Sequence, residues 1–328
     1  MNKNDIVRIL IGGKNTRVKS SASSFAPSNI ALVKYWGKRN EELNLPVTSS
    51  LSVSLGHLGT RTNISFSGTT DKVVLNDQEL TEDNPFVRRL ISFLDLFRSR
   101  GEKYIVETKN NFPTAAGLAS SASGFAALAI ALNELYAWHL SKKELSLLAR
   151  VGSGSASRSI FNGFVEWQRG DREDGMDSVA VSLPVKWPEL RIGVVTIAAE
   201  QKAVDSRTGM KRTKEHSELY KSWPSKVEKD LQDIKKAIQN RDFEFFGKTA
   251  ESNALAMHAT MLSAWPPLLY WKPETLVVFQ KVWEMRTAGV QVYFTIDAGP
   301  NVKLLFLENQ ANVVSENLPN MEIVLPFS

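Results

Sequence analysis

The stretch "NNFPTAAGLASSASGFAAL", residues 110–128, decides how this sequence folds, because it is dense in glycine, alanine and serine. A run of this composition is compatible with a flexible linker, a tightly packed helix or a loop around phosphates. It lies between a predicted strand at 103–109 and a predicted helix with Phe125, Leu128 and Leu132 on one face. A linker would separate two domains, so we interpret this stretch as the beginning of a helix.

A loop that opens into a helix is suited to anions, because the first backbone N–H groups are unpaired and lie at the positive end of the helix dipole. Gly117 permits a tight turn, and Ala116 and Ala119 leave room for phosphate oxygens. Ser120 and Ser121 add hydroxyl donors. The stretch matches neither GxxxxGK[ST] nor GxGxxG. The residues alone leave phosphate binding and close helix packing as equal alternatives.

The chain has 328 residues and a net charge of +5. The positive charge limits which binding partners we expect. Nucleic acid is compatible with this charge, but the Lys and Arg residues are scattered and no recognition motif accompanies them. A basic balance also suits a small polyanionic substrate, since positive potential concentrates anions in a cleft. We expect a small-molecule substrate and no nucleic-acid partner. A non-catalytic, basic nucleic-acid-binding module stays as the distant alternative.

Several other features exclude classes of protein. No run approaches the roughly 18 apolar residues that span a bilayer, so we expect no membrane partner. The apolar patch at 6–11 is too short for a signal peptide, and we expect an extra strand or a ragged tail there. The absence of cysteine excludes disulfides and thiolate catalysis and is typical of a cytoplasmic protein. The histidines have no metal-ligand spacing, so no metal ligand is assigned: His57, His139, His216 and His258.

The order of predicted elements changes along the chain. Alternating apolar residues predict strands at 49–55, 59–67 and 72–77, followed by a helix at 84–99. From about residue 189 the order becomes strand, helix, strand, strand, helix, strand, with extra helices inserted. That order is typical of a ferredoxin-like unit. The sequence therefore predicts two α+β domains.

Four blocks of the sequence carry a resemblance to a known family. They are "APSNIALVKYWGKRNEELNLPVTSSLSVSL" (26–55), the opening stretch (110–128), "GSGSASRSIFNGFVEW" (152–167) and "FTIDAGPN" (294–301). In this order they closely resemble the diphosphomevalonate decarboxylase family of the GHMP kinase superfamily. The resemblance spans nearly the whole chain after about residue 20.

The resemblance implies the GHMP kinase fold and a division of the chain. Residues 18–188 would form an N-terminal ATP-binding domain, similar to domain 2 of ribosomal protein S5, and residues 189–328 a ferredoxin-like C-terminal domain. Residues 1–17 would be an N-terminal extension with no function implied. ATP would be the co-substrate, with Mg²⁺. The resemblance places ATP on Pro113, Ala116, Gly117, Leu118, Ala119, Ser120 and Ser121.

The first and third blocks would hold the substrate. A basic turn with packed aromatics, and a serine-capped helix start with a solvated arginine, are the ordinary structural interpretations of these residues. The family assigns diphosphate contacts to Tyr35 and Lys38, places Lys34 near the reacting carbon, and makes Asn29 orient the catalytic groups. It also implies a diphosphate contact for Arg207 in "DSRTGMK", an alignment that rests on a short anchor. The full set of implied substrate contacts is Asn29, Tyr35, Trp36, Gly37, Lys38, Ser153, Gly154, Ser155, Ala156, Ser157, Arg158 and Arg207.

The implied catalytic residues are Asp297, Arg158 and Lys34. An aspartate before a Gly-Pro turn is commonly a turn cap, whereas the family makes Asp297 the base for the substrate 3-hydroxyl as it attacks the γ-phosphate of ATP. Arg158 would hold the substrate carboxylate, since its planar fork matches that group. Loss of the 3-phosphate and of CO₂ would then give isopentenyl diphosphate.

Two relatives of the same fold remain as alternatives. A phosphomevalonate decarboxylase would accept one phosphate, and a mevalonate 3-kinase would phosphorylate without decarboxylating. Lys34, Arg158 and Asp297 together argue against the kinase, and Arg207, Lys38 and Tyr35 favour the diphosphate. The family resemblance also implies a homodimer, although no interface pattern in the sequence indicates one.

Overall fold

The computed structural model describes residues 1–12, 19–99, 101–112, 120–198 and 203–327, and the structural statements below concern these ranges. Most of the predicted nucleotide loop, residues 113–119, lies outside them. Among the described residues, no helix has the length and apolar character needed to cross a membrane.

The N-terminal half is built on a seven-stranded sheet of described residues. Its elements are α1 (Lys3–Ile11), β1 (Ser21–Val33), β2 (Lys38–Asn40), β3 (Leu45–Pro46), β4 (Ser50–Ser67), β5 (Lys72–Leu75), β6 (Gln78–Leu80), α2 (Pro85–Leu94), β7 (Lys103–Asn110), α3 (Ser120–Tyr136), α4 (Lys142–Gly152), β8 (Phe164–Trp167) and β9 (Ala180–Ser182). The strand order is β6-β5-β7-β4-β8-β9, and β1 also pairs with β4. The β5–β7 pair is parallel and the other pairs of this sheet are antiparallel, while β2 and β3 form a separate hairpin.

The strands predicted at 49–55 and 59–67 are one long strand, β4. Gly56 has a φ of +58° and bends the strand where a turn was expected. The two parts of β4 pair with different stretches of β1, with a register shift at Pro27/Asn29. The bend therefore lets one strand pair with β8 before Gly56 and with β7 after it.

The N-terminal segment is a helix, so the expected strand or ragged tail at 6–11 is wrong. Asn2 and Asp5 form a capping box, and Gly12 ends the helix in the left-handed conformation. Ile6, Val7 and Ile11 are buried. The spacing of Asn2, Asp5 and Gly12 is a helix signal that the sequence contains and that an interpretation based on apolar length alone overlooks.

The predicted helices of this half form where their caps place them. Asn84 caps α2, and Ser141 and Glu144 form the capping box of α4. Helix α2 ends at Leu94, earlier than predicted, because the chain turns there and Arg98 pairs with Asp71. The opening stretch does lead into a helix, α3, which packs against β1 and β4.

The C-terminal half is a four-stranded antiparallel sheet with helices. Its elements are β10 (Leu190–Val195), α5 (Ser206–His216), α6 (Trp223–Asn240), α7 (Phe243–Leu262), α8 (Pro273–Thr287), β11 (Val292–Ile296), β12 (Val302–Leu307), α9 (Ala311–Asn317) and β13 (Glu322–Val324). The strand order β11-β12-β10-β13 confirms the predicted ferredoxin-like unit, in which extra helices separate the first two strands.

One apolar core joins the two halves. It contains Leu32 and Val33 of β1 together with Val227 of α6 and Phe246 of α7. Strand β11 is buried along its whole length, because α7 covers one face and α8 the other. The active-site elements that follow β1 and β11 are therefore held by a shared, rigid core.

Candidate active site

A carboxylate between two buried ammonium groups lies where the two halves meet. Asp297 follows β11, and its Oδ1 is 2.8 Å from Nζ of Lys34, which follows β1. Nζ of Lys303, on β12, is 3.9 Å from Oδ2. Both lysine side chains are 2% exposed, whereas Asp297 is 33% exposed and reaches the cleft. The two cations favour the ionised form of Asp297, which is the form that accepts a proton.

Lys34 is fixed from several directions. Its Nζ donates to the carbonyl of Ala31 at 2.7 Å, and its backbone N donates to Oδ1 of Asn253 at 2.8 Å. Asn253 in turn donates to Asp230. Burial lowers the pKa of Lys34, and the adjacent Asp297 acts in the opposite direction. The ammonium is thus positioned before any substrate binds.

His258 of α7 supports Asp297 from behind. Its Nε2 is 3.1 Å from the backbone carbonyl oxygen of Asp297. A carbonyl oxygen can only accept, so Nε2 carries the proton and donates. The ring packs on Trp271, with ring centroids 4.9 Å apart. Burial lowers the pKa of His258 to about 3, so the imidazole is neutral in the folded protein.

The neutral His258 predicts a pH effect on stability. Its folded pKa of about 3 lies below the ordinary histidine value of 6.5, so its contribution to folding stability is present above pH 6.5 and is lost as the pH falls towards 3. Between pH 7 and pH 5 the unfolding free energy of the wild type should fall by about 2 kcal/mol more than that of His258→Gln. Urea unfolding measures this difference. The exposed His216→Gln is the control, and an equal loss in wild type and His258→Gln would contradict the assignment.

Arg158 lies in the same cleft as a buried cation. Its Nη1 donates to Oγ of Ser50 at 2.6 Å, and its Nε donates to Oδ1 of Asn29 at 3.3 Å. Asn29 itself donates to Oγ of Ser159 at 2.8 Å. Burial lowers the pKa of Arg158 to about 10, and Asp297 acts in the opposite direction, so the guanidinium stays charged at neutral pH. Asn29 thus links Arg158 to Ser159, and its role in orienting the catalytic groups stays a prediction of the family resemblance.

The serine-rich block forms a 3-10 helix, Gly154–Ile160, directly after α4. Ser153 stands at its start without a side-chain cap, so the serine-capped helix start is not what forms here. Oγ of Ser153 is 3.5 Å from Oγ of Ser155. Among the described residues, Oγ of Ser157 is buried without a hydrogen-bond partner, and Ala156 lies in the core.

The aromatic residues of the first block have different surroundings. The Tyr35 ring meets Trp167 edge-on at 4.8 Å, and its buried hydroxyl has no hydrogen-bond partner among the described residues. Burial raises the pKa of this hydroxyl. The Trp36 ring packs in the core beside Gly209, while its carbonyl accepts from Tyr220 at 3.0 Å. The Tyr35 hydroxyl thus has no hydrogen-bond partner among the described residues, and Trp36 packs in the core.

Gly37 is required by its neighbours. Its φ is +111°, and a Cβ built on it would lie 1.8 Å from the Tyr220 hydroxyl oxygen. We expect Gly37→Ala to lower the unfolding free energy by about 1–3 kcal/mol and to displace Lys38. Thermal unfolding and substrate KM measure the two effects. Adding Tyr220→Phe removes the clashing oxygen and should restore part of the stability; no change in Gly37→Ala itself would contradict this geometry.

Two predicted diphosphate contacts come from opposite halves. Lys38 begins β2, is buried, and has Nζ 3.0 Å from Oε2 of Glu41. Arg207 lies in the first turn of α5 and donates from Nη2 to the carbonyl of Gly152 at 3.0 Å, across the cleft. Arg207 therefore borders the serine-rich block, and Lys38 lies within electrostatic range of Arg207.

The predicted ATP contacts are only partly described. Ser120 and Ser121 are the first two residues of α3, as predicted for a loop that opens into a helix. The other predicted ATP contacts lie outside the described residues: Pro113, Ala116, Gly117, Leu118 and Ala119. Within the described ranges, no three Asp, Glu, His or Cys side chains lie close enough together to hold a metal ion.

The structure adds residues that the sequence did not indicate. Ser50 lies in the first block but had no role assigned to it, Asn253 lies in none of the four blocks, and His258 has no metal-ligand spacing. Lys303 had a signal, because a lysine within the apolar run "VKLLFL" needs a buried partner. These four residues surround and orient Lys34, Arg158 and Asp297 instead of forming a separate site.

Comparison with known families assigns both halves. Residues 26–180 match the diphosphomevalonate decarboxylase-like N-terminal domain, and residues 192–322 match the mevalonate 5-diphosphate decarboxylase C-terminal domain. The chain is 38% identical to the diphosphomevalonate decarboxylase of Aspergillus fumigatus, over 92% of this chain and 81% of that protein.

Solved structures agree with this assignment. The chain is similar to MDDEF in complex with MVAPP, AMPPCP and magnesium, with a TM-score of 0.88 and 41% identity over 94% of this chain and 97% of that one. It is also similar to the mevalonate diphosphate decarboxylase of Staphylococcus aureus, with a TM-score of 0.87 and 39% identity over 93% and 95% of the two chains. The predicted α+β architecture, the GHMP kinase fold, is confirmed.

Proposed function

Because the chain belongs to the diphosphomevalonate decarboxylase family, we propose that it converts ATP and (R)-5-diphosphomevalonate to ADP, phosphate, CO₂ and isopentenyl diphosphate. This reaction would serve the mevalonate route to isoprenoids. The observation that carries the proposal is the position of Asp297 between Lys34 and Lys303, in the cleft that also holds Arg158. The chain supplies a base and a carboxylate-binding cation in that cleft.

The first step is phosphorylation of the substrate 3-hydroxyl. Asp297 accepts the hydroxyl proton as the oxygen attacks the γ-phosphorus of ATP, and the bond from that phosphorus to the β-phosphate oxygen breaks. Lys34, 2.8 Å from Asp297, stabilises the negative charge that develops on the transferring group. The side chains around Lys34 hold it in place, so little reorganisation is needed during the reaction.

The second step breaks two bonds of the substrate. The C3–oxygen bond to the new phosphate cleaves, and the C–C bond to the carboxylate supplies the electron pair of the product double bond. Arg158 binds the carboxylate through its planar guanidinium, which Ser50 and Asn29 orient. Alignment of the carboxylate with the departing phosphate is therefore the role that we assign to Arg158.

Substrate recognition belongs to the serine-rich block and the cations beside it. We assign the diphosphate to Lys38 and Arg207, with hydroxyl contacts from Tyr35, Ser153 and Ser155. The unpartnered, buried Tyr35 hydroxyl supports this assignment among the described residues. Trp36 and Gly37 shape the turn that carries Lys38, and Gly154 and Ala156 keep the block compact.

ATP and Mg²⁺ complete the proposed reaction. The related MDDEF complex contains MVAPP, AMPPCP and magnesium. In this chain the helix start of α3 and Ser121 support nucleotide binding, since backbone N–H groups there suit phosphates. Magnesium prefers oxygen ligands and phosphates, which fits a hydroxyl such as that of Ser121 beside the nucleotide. When bound, the ion neutralises phosphate charge.

We further propose that the two domains divide at 188/189 and that residues 1–17 form an extension. We also propose a cytoplasmic location. Finally, we propose that the protein is a homodimer. The change from the seven-stranded to the four-stranded sheet between β9 and β10 supports the division. The absence of cysteine from 328 residues supports the location. Family resemblance supports the dimer, which sedimentation of the purified chain would test.

The test of substrate identity compares two substrates. Turnover of 5-diphosphomevalonate should exceed that of 5-phosphomevalonate by about 100-fold in kcat/KM, because the monophosphate forfeits charge-assisted contacts. The two assays use the same enzyme, ATP and Mg²⁺ concentrations, with product CO₂ as the readout. Equal turnover, or a preference for the monophosphate, would replace the proposal with phosphomevalonate decarboxylation.

A further inference from the structure

Helix α1 belongs to a part of the chain that the proposed function leaves unused. It precedes residue 26, where the match to the family's N-terminal domain begins. Its start is well specified, because Asn2 accepts a hydrogen bond from the Asp5 backbone at 3.0 Å and Asp5 accepts one from the Asn2 backbone at 2.9 Å. This extension is therefore an ordered helix with a defined position.

The start of α1 lies beside the hairpin that carries Lys38. Ile6 and Val7 of α1 share an apolar cluster with Leu43 and Leu45, which lie in the loop after β2 and in β3. Met1 and Arg39 line the same surface cavity of about 720 Å³. This packing fixes the first turn of α1 beside the hairpin that carries Lys38.

Four cations from four different elements converge there. Lys3 of α1 is half-buried and lies within electrostatic range of Lys38 (β2), Arg89 (α2) and Arg207 (α5). Each of the other pairs among these four cations interacts as well. Burial and then the charge of Arg207 lower the pKa of Lys3. Holding four positive charges close together costs electrostatic free energy, and a bound polyanion offsets that cost.

The neighbouring acids do not fill this cluster. Glu41 pairs with Lys38, and Glu42 interacts with Lys3. Asp205 interacts with Arg89 and Arg207. All three of these acidic residues are exposed. Nε of Arg89 is buried and has no hydrogen-bond partner among the described residues, while its guanidinium lies 5.4 Å from the centre of the Phe125 ring of α3. Phe125 packs against Gly152, whose carbonyl accepts from Arg207, so Arg89 lies near the same end of the serine-rich block.

We propose that α1 supplies a substrate-binding residue: Lys3 binds the diphosphate of the substrate together with Lys38 and Arg207. This inference rests on the proposed function for the identity of the ligand. The group recognised is a polyphosphate, which both the substrate and ATP contain. Because Lys38 and Arg207, two cations near Lys3, are assigned to the substrate, we assign Lys3 to the substrate as well. Lys3 then helps the enzyme to distinguish two phosphates from one.

The test compares Lys3→Gln with Arg8→Gln. Arg8 lies on the same helix with an exposed side chain, so its substitution removes one positive charge from α1 without touching the cluster. Lys3→Gln should raise KM for 5-diphosphomevalonate by about tenfold, with KM for ATP and kcat within about twofold of wild type. Arg8→Gln should leave all three constants unchanged, and Lys3→Arg should restore most of the affinity. The preference for diphosphate over monophosphate should shrink in Lys3→Gln alone.

Other results of the comparison between Lys3→Gln and Arg8→Gln would overturn the inference or reassign Lys3. Equal KM values for Lys3→Gln and Arg8→Gln would overturn the inference, and a rise confined to KM for ATP would reassign Lys3 to the nucleotide. Lower thermal stability in Lys3→Gln with unchanged KM would make Lys3 purely structural and would also overturn it. If wild type releases no CO₂, the proposed function fails, and calorimetric titration of wild type and Lys3→Gln with inorganic pyrophosphate still decides the anion site: weaker binding by Lys3→Gln supports it, and equal binding overturns it.

Discussion

Asp297→Asn should lower kcat by about 10³-fold while leaving ATP affinity within a few-fold of wild type. The amide has the shape of the carboxylate but cannot take the proton from the substrate hydroxyl. It also leaves Lys34 and Lys303 without the negative charge that lies 2.8 Å and 3.9 Å from them. Steady-state turnover and direct nucleotide titration measure the two quantities.

Asp171→Asn is the matched control, because this aspartate is exposed and its carboxylate pairs with Arg169 at the surface. It should retain wild-type turnover. Loss of ATP affinity in Asp297→Asn would show that this carboxylate organises the nucleotide instead of acting on the substrate hydroxyl. Turnover near the wild-type rate would show that it is a turn-capping residue, as its position before a Gly-Pro turn also allows.

Arg158→Gln should lower CO₂ release by about 10²-fold or more, again with ATP affinity largely retained. The variant loses the guanidinium that we assign to the substrate carboxylate, and it leaves Ser50 and Asn29 without their charged partner. Arg158→Lys keeps the charge but not the planar fork, so its activity should lie between those of Arg158→Gln and wild type.

The control for this prediction is a second arginine outside the cleft. Arg172 is exposed and pairs with Asp174 at the surface, so Arg172→Gln should retain activity. Thermal unfolding of each variant shows whether a loss of activity comes from the missing contact or from a destabilised fold. Full activity in Arg158→Gln would remove this residue from the reaction.

Much of the fold follows from local signals in the sequence. The caps at Asn84 and Ser141 and the strand–helix order of the C-terminal half predicted elements that the structure confirms. The errors arose where tertiary context decides: β4 continues through Gly56 because β1 pairs on both sides of it, and α1 forms because its apolar face has a core to enter. Short elements take their stability from such packing.

The candidate site likewise contains residues that the sequence indicated and residues that only the structure reveals. Motifs in the sequence pointed to Lys34, Arg158 and Asp297, which the structure brings into one cleft. The residues that hold them do not belong to local patterns, because a buried hydrogen bond such as Lys34–Asn253 joins positions 219 residues apart. His258 and Lys3 likewise act through contacts that only the folded chain creates.

The most direct test of the central claim counts products in one reaction. Purified enzyme, ATP, Mg²⁺ and 5-diphosphomevalonate labelled at C1 would be sampled for ADP, phosphate and labelled CO₂. We expect all three in equal amounts, because phosphorylation, loss of phosphate and decarboxylation follow one another at Asp297, Lys34 and Arg158. ADP without CO₂ would identify a 3-kinase, and the release of neither product would contradict the account altogether.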